Sequence, residues 1–200
     1  MHFKPGVSSS LVRPMLLMSL LLWNHSLPAA DDAFAHDHQT IEHQGIQLIG
    51  TTRFTGQVQS CLDLLAEKTP EDLAFIQQYI GVIKQHKKSG MVAWANPPRY
   101  EMSAKTAFYS ITWCASTIAH DAMHSRLYQK YRHVQKGQLL HKLWAGFKAE
   151  SRAIHFQTQV AKRLSAPEEE LHYLRNLKGT HSDLDGDRKL TNKDYQKRDW

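Results

Sequence analysis

One helical stripe constrains this chain more than any other feature. In WCASTIAHDAMHSRLYQKY, residues 113 to 131, a rotation of about 100° per residue puts Trp113, Thr117, His120, His124, Leu127 and Tyr131 on one narrow face. A face of that kind turns toward a core, so two imidazoles four positions apart are taken inside. Buried imidazoles require partners. Hydrogen bonds to carbonyls or acids are one solution, and a divalent ion held by neutral rings is the other. Spacing alone does not choose between them. A chain with 13 histidines in 200 residues yields H-x-x-x-H about 0.8 times by chance, and about 0.1 times with an acid after the first histidine.

A second helical pattern, from about 140 to 164, adds a carboxylate. In LWAGFKAESRAIHFQTQVAKRL the apolar stripe is Leu143, Phe147, Ile154 and Ala161, and Glu150 projects from its centre. An inward carboxylate is unfavourable unless paired. Its partner is a salt-bridging group such as Arg126, a protonated histidine, or a zinc ion shared with His120 and His124, with water in the fourth place. His155 is a candidate substitute ligand or supporting residue. His141 and His172 read as solvated helix positions.

HDAMH, followed 26 positions after His124 by Glu150, resembles the zincin metallopeptidases. It is closest to their gluzincin branch, whose pattern is H-E-x-x-H plus a glutamate on a later helix. The resemblance covers roughly residues 105 to 160 and implies zinc at His120, His124 and Glu150, with a peptide or protein substrate. TAFYSIT (106 to 112) stands where that family places the sheet edge that pairs with substrate. The sequence departs at the family's general base, because Asp121 replaces the glutamate. Aspartate is one methylene shorter, and a misplacement of about 1 Å can lower a rate on the order of a hundredfold.

DLDGDRKLTNKD, residues 183 to 194, has oxygen ligands at the calcium-loop positions 1, 3, 5, 7, 9 and 12. These are Asp183, Asp185, Asp187, the carbonyl of Lys189, Thr191 and Asp194, with Leu190 as the apolar eighth residue. The stretch resembles the EF-hand family, with helical APEEELHYLRNL before it and a short exit helix after it. Two positions depart from the pattern. Arg188 stands where glycine normally makes the left-handed turn, and Asp194 replaces a longer bidentate glutamate. No second loop is present to pair with it. The other reading of this stretch is a solvated acidic turn capped by Thr191 and Asp194.

The remaining sequence places these motifs. Lys4 and Arg13, the apolar PMLLMSLLLW and the small-residue exit through Ala35 have the layout of a secretory signal peptide. Cleavage is expected after Ala29, Ala30 or Ala35, leaving no stable membrane anchor. Cys61 and Cys114, the only cysteines, then read as one disulfide. The excess charge of +6 is spread along the chain without a basic block or aromatic interleaving, which argues against nucleic acid. Residues 31 to 44 read as a loose polar leader, in which His36, His38 and His43 are solvated.

Strand character is expected at 45 to 54, 79 to 86, 91 to 95 and 106 to 112. Helices are expected at 55 to 68, 70 to 79, 113 to 131, 140 to 164 and 167 to 178. The fold class is α+β: a small N-terminal sheet followed by a helical half that carries the HxxxH helix and a single EF-hand-like loop. The expected organisation is a signal and leader (1 to 35), a zincin-like domain (36 to 178) and a calcium-binding segment (179 to 200). Two functions compete. One is an exported zinc hydrolase, periplasmic or secreted, with structural calcium. The other is a non-catalytic exported calcium-binding protein on a degenerate zincin-like scaffold.

Overall fold

The computed structural model describes residues 37–133, 136–177, 179 and 182–199. The stretch expected to be a signal peptide and leader, with His36, lies outside the described residues. The chain is α+β, with a five-stranded sheet ahead of a helical half.

The sheet begins earlier than the sequence suggests. β1 (His38–His43) and β2 (Ile46–Thr51) form an antiparallel hairpin. Gln44 and Gly45 both have positive φ at its two-residue turn, the backbone twist that tight hairpins favour. The expected loose leader is therefore partly an edge strand. Its alternating half-buried residues, Gln39, Ile41 and His43, are mostly polar, which hides the period. His43 bonds Asp63 at 2.6 Å.

β2 passes into α1 (Thr52–Lys68), where Thr51 caps the helix by accepting the Phe54 N–H at 3.2 Å. Phe54, Val58, Cys61, Leu62 and Leu65 form its buried stripe. α2 (Pro70–Tyr79) starts with proline and two acids, as expected. β3 (Val82–His86) then lies parallel to β2, and β5 (Arg99–Ser103) parallel to β3. β4 (Gly90–Val92) pairs antiparallel with β5 and ends the sheet, in the order β1-β2-β3-β5-β4.

TAFYSIT is not a strand. Ser103 accepts the Thr106 N–H at 3.1 Å and starts the short helix α3 (Ala104–Ala107). Ser110 accepts the Trp113 N–H at 2.8 Å and starts α4 (Ile111–Tyr131). Two serine caps within eight residues outweigh the β propensity between them. The sheet edge expected there is formed by β4 instead.

α4 is the central helix. Cys114, Ala115, Ile118, Ala119 and Ala122 join the core that Ile46, Leu48, Ile83, Tyr100 and Met102 build on the sheet. The Cys61–Cys114 disulfide ties α4 to α1, with Cα atoms 6.0 Å apart. Closing a loop of 53 residues stabilises the fold by roughly 2 to 4 kcal/mol in the chain-entropy account.

The helix expected over 140 to 164 is two helices. α5 (Gly137–Ala145) and α6 (Phe147–Arg163) meet at Gly146, which is extended (φ −83°, ψ 176°). A Cβ there would approach the Lys142 carbonyl oxygen to 2.6 Å. α7 (Glu168–Asn176) follows, and α8 (Asn192–Lys197) closes the chain after the acidic loop. No helix among the described residues is long and apolar enough to cross a membrane.

Candidate metal centre

α4 and α6 pack side by side, and their facing positions bring three sequence-predicted residues together. His120 and His124 have Nε2 atoms 3.1 Å apart. Glu150 Oε2 lies 3.6 Å from His120 Nε2, and Oε1 lies 3.5 Å from His124 Nε2. His124 and Glu150 are each 5% exposed. A tetrahedral zinc with bonds of about 2.0–2.2 Å needs ligand atoms about 3.3–3.5 Å apart. The two Nε2 atoms stand close to that spacing, and one ligand atom of each residue, a single carboxylate oxygen among them, lies within 4.8 Å of the others, so the carboxylate has only to turn inward to admit the ion.

The far side of each ring is anchored. His124 Nδ1 lies 2.7 Å from the Trp144 carbonyl oxygen, and His120 Nδ1 lies 3.0 Å from Gln157 Oε1. A carbonyl only accepts, so His124 carries its proton on Nδ1 and turns a lone pair or a second proton toward Glu150. Gln157 Nε2 donates to Ser116 Oγ at 3.4 Å, which sets the amide so that its oxygen faces His120. Two lone pairs converging beside a buried carboxylate call for a cation. When no metal is bound, a proton fills that role. Burial pushes the His124 pKa down, but the Glu150 carboxylate overcomes it and raises the imidazole to about 9. Burial likewise opposes ionisation of Glu150, yet His124 and His120 hold its carboxyl well below the usual range.

The break at Gly146 serves the His124 ring and the Glu150 carboxylate. Trp144 falls in the last turn of α5, where carbonyls lack intrahelical partners, and one of them takes the His124 N–H. Glu150 falls in the first turn of α6, where the helix dipole favours an anion. Arg126 is exposed and lies over Phe75, its guanidinium carbon 6.0 Å from the ring centroid. His155 is exposed on the far side of α6, so the supporting position belongs to Gln157. Gln157 follows Glu150 by two helical turns, the one signal that could have identified it. His172 is exposed, whereas His141 is half-buried against the Trp144 ring. We expect Gln157→Ala to weaken zinc binding by about 10–100-fold in competition with a chromophoric chelator. Unchanged affinity would show that His120 is oriented by other contacts.

The three groups open onto a cavity of about 1060 Å³. Asp121 also lines it, from the flank of α4 nearest Tyr100. Burial raises the Asp121 pKa against the pull of His120 and His124, and Arg198 from the C-terminal segment acts in the same sense as the histidines. Tyr100 is buried, and desolvation together with the Asp121 charge lifts its phenol well above the ordinary value. A carboxylate with a raised pKa beside two imidazoles can accept a proton from a group held at the centre.

The acidic loop brings Asp183, Asp185 and Asp187 together, with one carboxylate oxygen of each within 4.8 Å of the others. Arg188 adopts the left-handed conformation (φ 62°) expected of the sixth loop position. Asp194 stands apart from the three. Its oxygens accept the backbone N–H groups of Leu184 and Thr191 at 2.9 and 2.8 Å, closing a capping box with Thr191 at the start of α8. Lys189 and Thr191 are exposed, and Thr191 Oγ1 bonds Asp194 at 3.1 Å. No protein-family model, no curated protein and no solved structure matches the chain.

Proposed function

We propose that the protein is a zinc-dependent hydrolase of peptide bonds, exported to an oxidising compartment, with His120, His124 and Glu150 as the metal ligands. The observation that carries this reading is the convergence of two imidazole nitrogens and a carboxylate, each ring fixed from behind, at the wall of a large cavity. Zinc bound there would polarise a substrate carbonyl and lower the pKa of a coordinated water to about 7. The remaining chemistry falls to the chain itself. Asp121 takes the proton from the attacking water on its carboxylate and passes it to the leaving amine. Tyr100, kept protonated by burial and by the Asp121 charge, is placed to donate its phenol to that carboxylate. β4 ends the sheet, and Gly90, Met91 and Val92 line the cavity, so an extended substrate backbone can add to its edge.

The Cys61–Cys114 disulfide supports export, since such bonds persist outside reducing compartments. The test of the function is hydrolysis of quenched fluorescent peptides, abolished by a chelator and restored by zinc. A native protein that takes up no transition metal would remove the basis of the proposal.

Calcium at Asp183, Asp185 and Asp187 belongs to the same reading as a brace for α8. Lys88 Nζ bonds the carbonyls of Tyr195 and Gln196 in α8, which fastens that helix beside β4. Calcium is expected to raise the melting temperature, and Asp183→Ala to remove the rise. A shift that persists in the variant would place calcium elsewhere. The rival reading, a non-catalytic calcium-binding protein, rests on this cluster alone and predicts the calcium shift with no zinc uptake.

A further inference from the structure

The walls of the cavity carry more exposed aromatic surface than a folded chain normally leaves to solvent. Trp94, Tyr109 and Tyr173 are 62%, 66% and 52% exposed, and all three line the same cavity as the histidine pair. Exposed large rings gathered in one concave place mark a binding surface. They form two groups. Trp94 packs on Trp144 with centroids 5.9 Å apart, and Trp144 lies 6.4 Å from the His124 ring, so this group sits beside the metal centre. Trp113 packs on Tyr109 at 5.4 Å and on Tyr173 at 5.6 Å, and this second group stands apart from it.

The spacing of the second group follows from the helix. Trp113, Thr117, His120 and His124 all line the cavity from α4, and Trp113 precedes His120 by about two turns, or ~10 Å along the axis. An extended peptide advances about 3.3 Å per residue. A chain running beside α4 with its reactive bond at the histidines therefore presents its third residue to Trp113. The rings of this group meet at 54° and 62°, leaving a notch of edges and faces. Such a notch accepts an apolar or aromatic side chain edge-to-face. The neighbouring β4 edge, whose Gly90, Met91 and Val92 line the same cavity, suits a peptide backbone.

We propose that Tyr109, Trp113 and Tyr173 form a specificity subsite for an apolar, preferably aromatic, side chain three residues from the scissile bond of an extended peptide. The inference rests on the hydrolase reading for the word scissile, and on the aromatic geometry for the rest.

The test uses the zinc-loaded full chain and quenched peptides varied at the third residue on either side of the cleaved bond. On one side, Phe in place of Ala should raise kcat/KM at least about tenfold, the effect of burying one such side chain. Tyr109→Ala and Tyr173→Ala should each remove most of that preference, while zinc content and kcat/KM for the all-Ala peptide stay unchanged. No preference at that position, or one that both variants retain, overturns the inference. Should peptides bind without being cleaved, the hydrolase reading fails on its own. Quenching of tryptophan fluorescence then reads the subsite, and stronger quenching by the Phe peptide than by the Ala peptide upholds it. Equal quenching, or stronger quenching by an oligosaccharide, overturns it.

Discussion

Purified without a histidine tag and dialysed against zinc, the protein is expected to hold about one ion per chain and Glu150→Gln close to none. Glutamine keeps the size of the side chain but removes the anion. It leaves two imidazoles with Nε2 atoms 3.1 Å apart to bind a divalent charge in a buried place unaided. The pH dependence should move with it. In the metal-free protein His124 is raised from 6.5 to about 9, so its protonation stabilises the fold fully below 6.5, and that contribution is lost as pH rises through about 9. Zinc displaces this proton. Its apparent affinity should climb between pH 6.5 and about 9, and the gap in melting temperature between loaded and metal-free protein should widen over the same window. Glu150→Gln removes the charge that raises His124, so its metal-free form should lack that decline in stability. A variant that still binds zinc stoichiometrically would exclude Glu150 as a ligand.

Asp121→Asn should separate binding from turnover. Asp121 is not among the converging ligands, so the variant should keep its zinc, measured by elemental analysis. Hydrolysis should fall by about 10²–10⁴, the usual contribution of a positioned general base. Because burial raises the Asp121 pKa, the wild-type rate should decline on the acid side as this carboxylate protonates, and the variant's residual rate should lack that decline. Equal rates in the two proteins would remove Asp121 from the chemistry and leave its shorter side chain without a catalytic meaning.

The centre was legible where helical periodicity and buried polarity coincide. His120 and His124 on an apolar stripe, and Glu150 in the middle of another, are anomalies that a sequence displays openly, and the helices do bring them together. Their supports were not legible. Gln157 is an ordinary residue until His120 is known to face it, and the Trp144 carbonyl belongs to the backbone, which no side-chain pattern reports. The sheet was read in outline, but β1 was hidden by its polar alternation and RYEMS of β5 by its charges. TAFYSIT was misread because its β-rich composition is framed by Ser103 and Ser110, whose caps act on the backbone N–H groups that follow them. The single helix expected from 140 to 164 failed at Gly146 for a related reason. Glycine's weak helix propensity lowers the case for continuity but does not locate a break.

That glycine has a consequence for how the centre can change. An unbroken rod from 137 to 163 would commit the Trp144 oxygen to its own ladder and carry Glu150 past a mid-helix position with no favourable dipole. The brace behind one ligand and the comfort of another would vanish in the same stroke. Residue 146 touches no ion and performs no chemistry, yet a methyl group placed on it would collide with the Lys142 carbonyl oxygen at 2.6 Å. Two of the three proposed ligands, His124 and Glu150, thus depend on one hinge-pin.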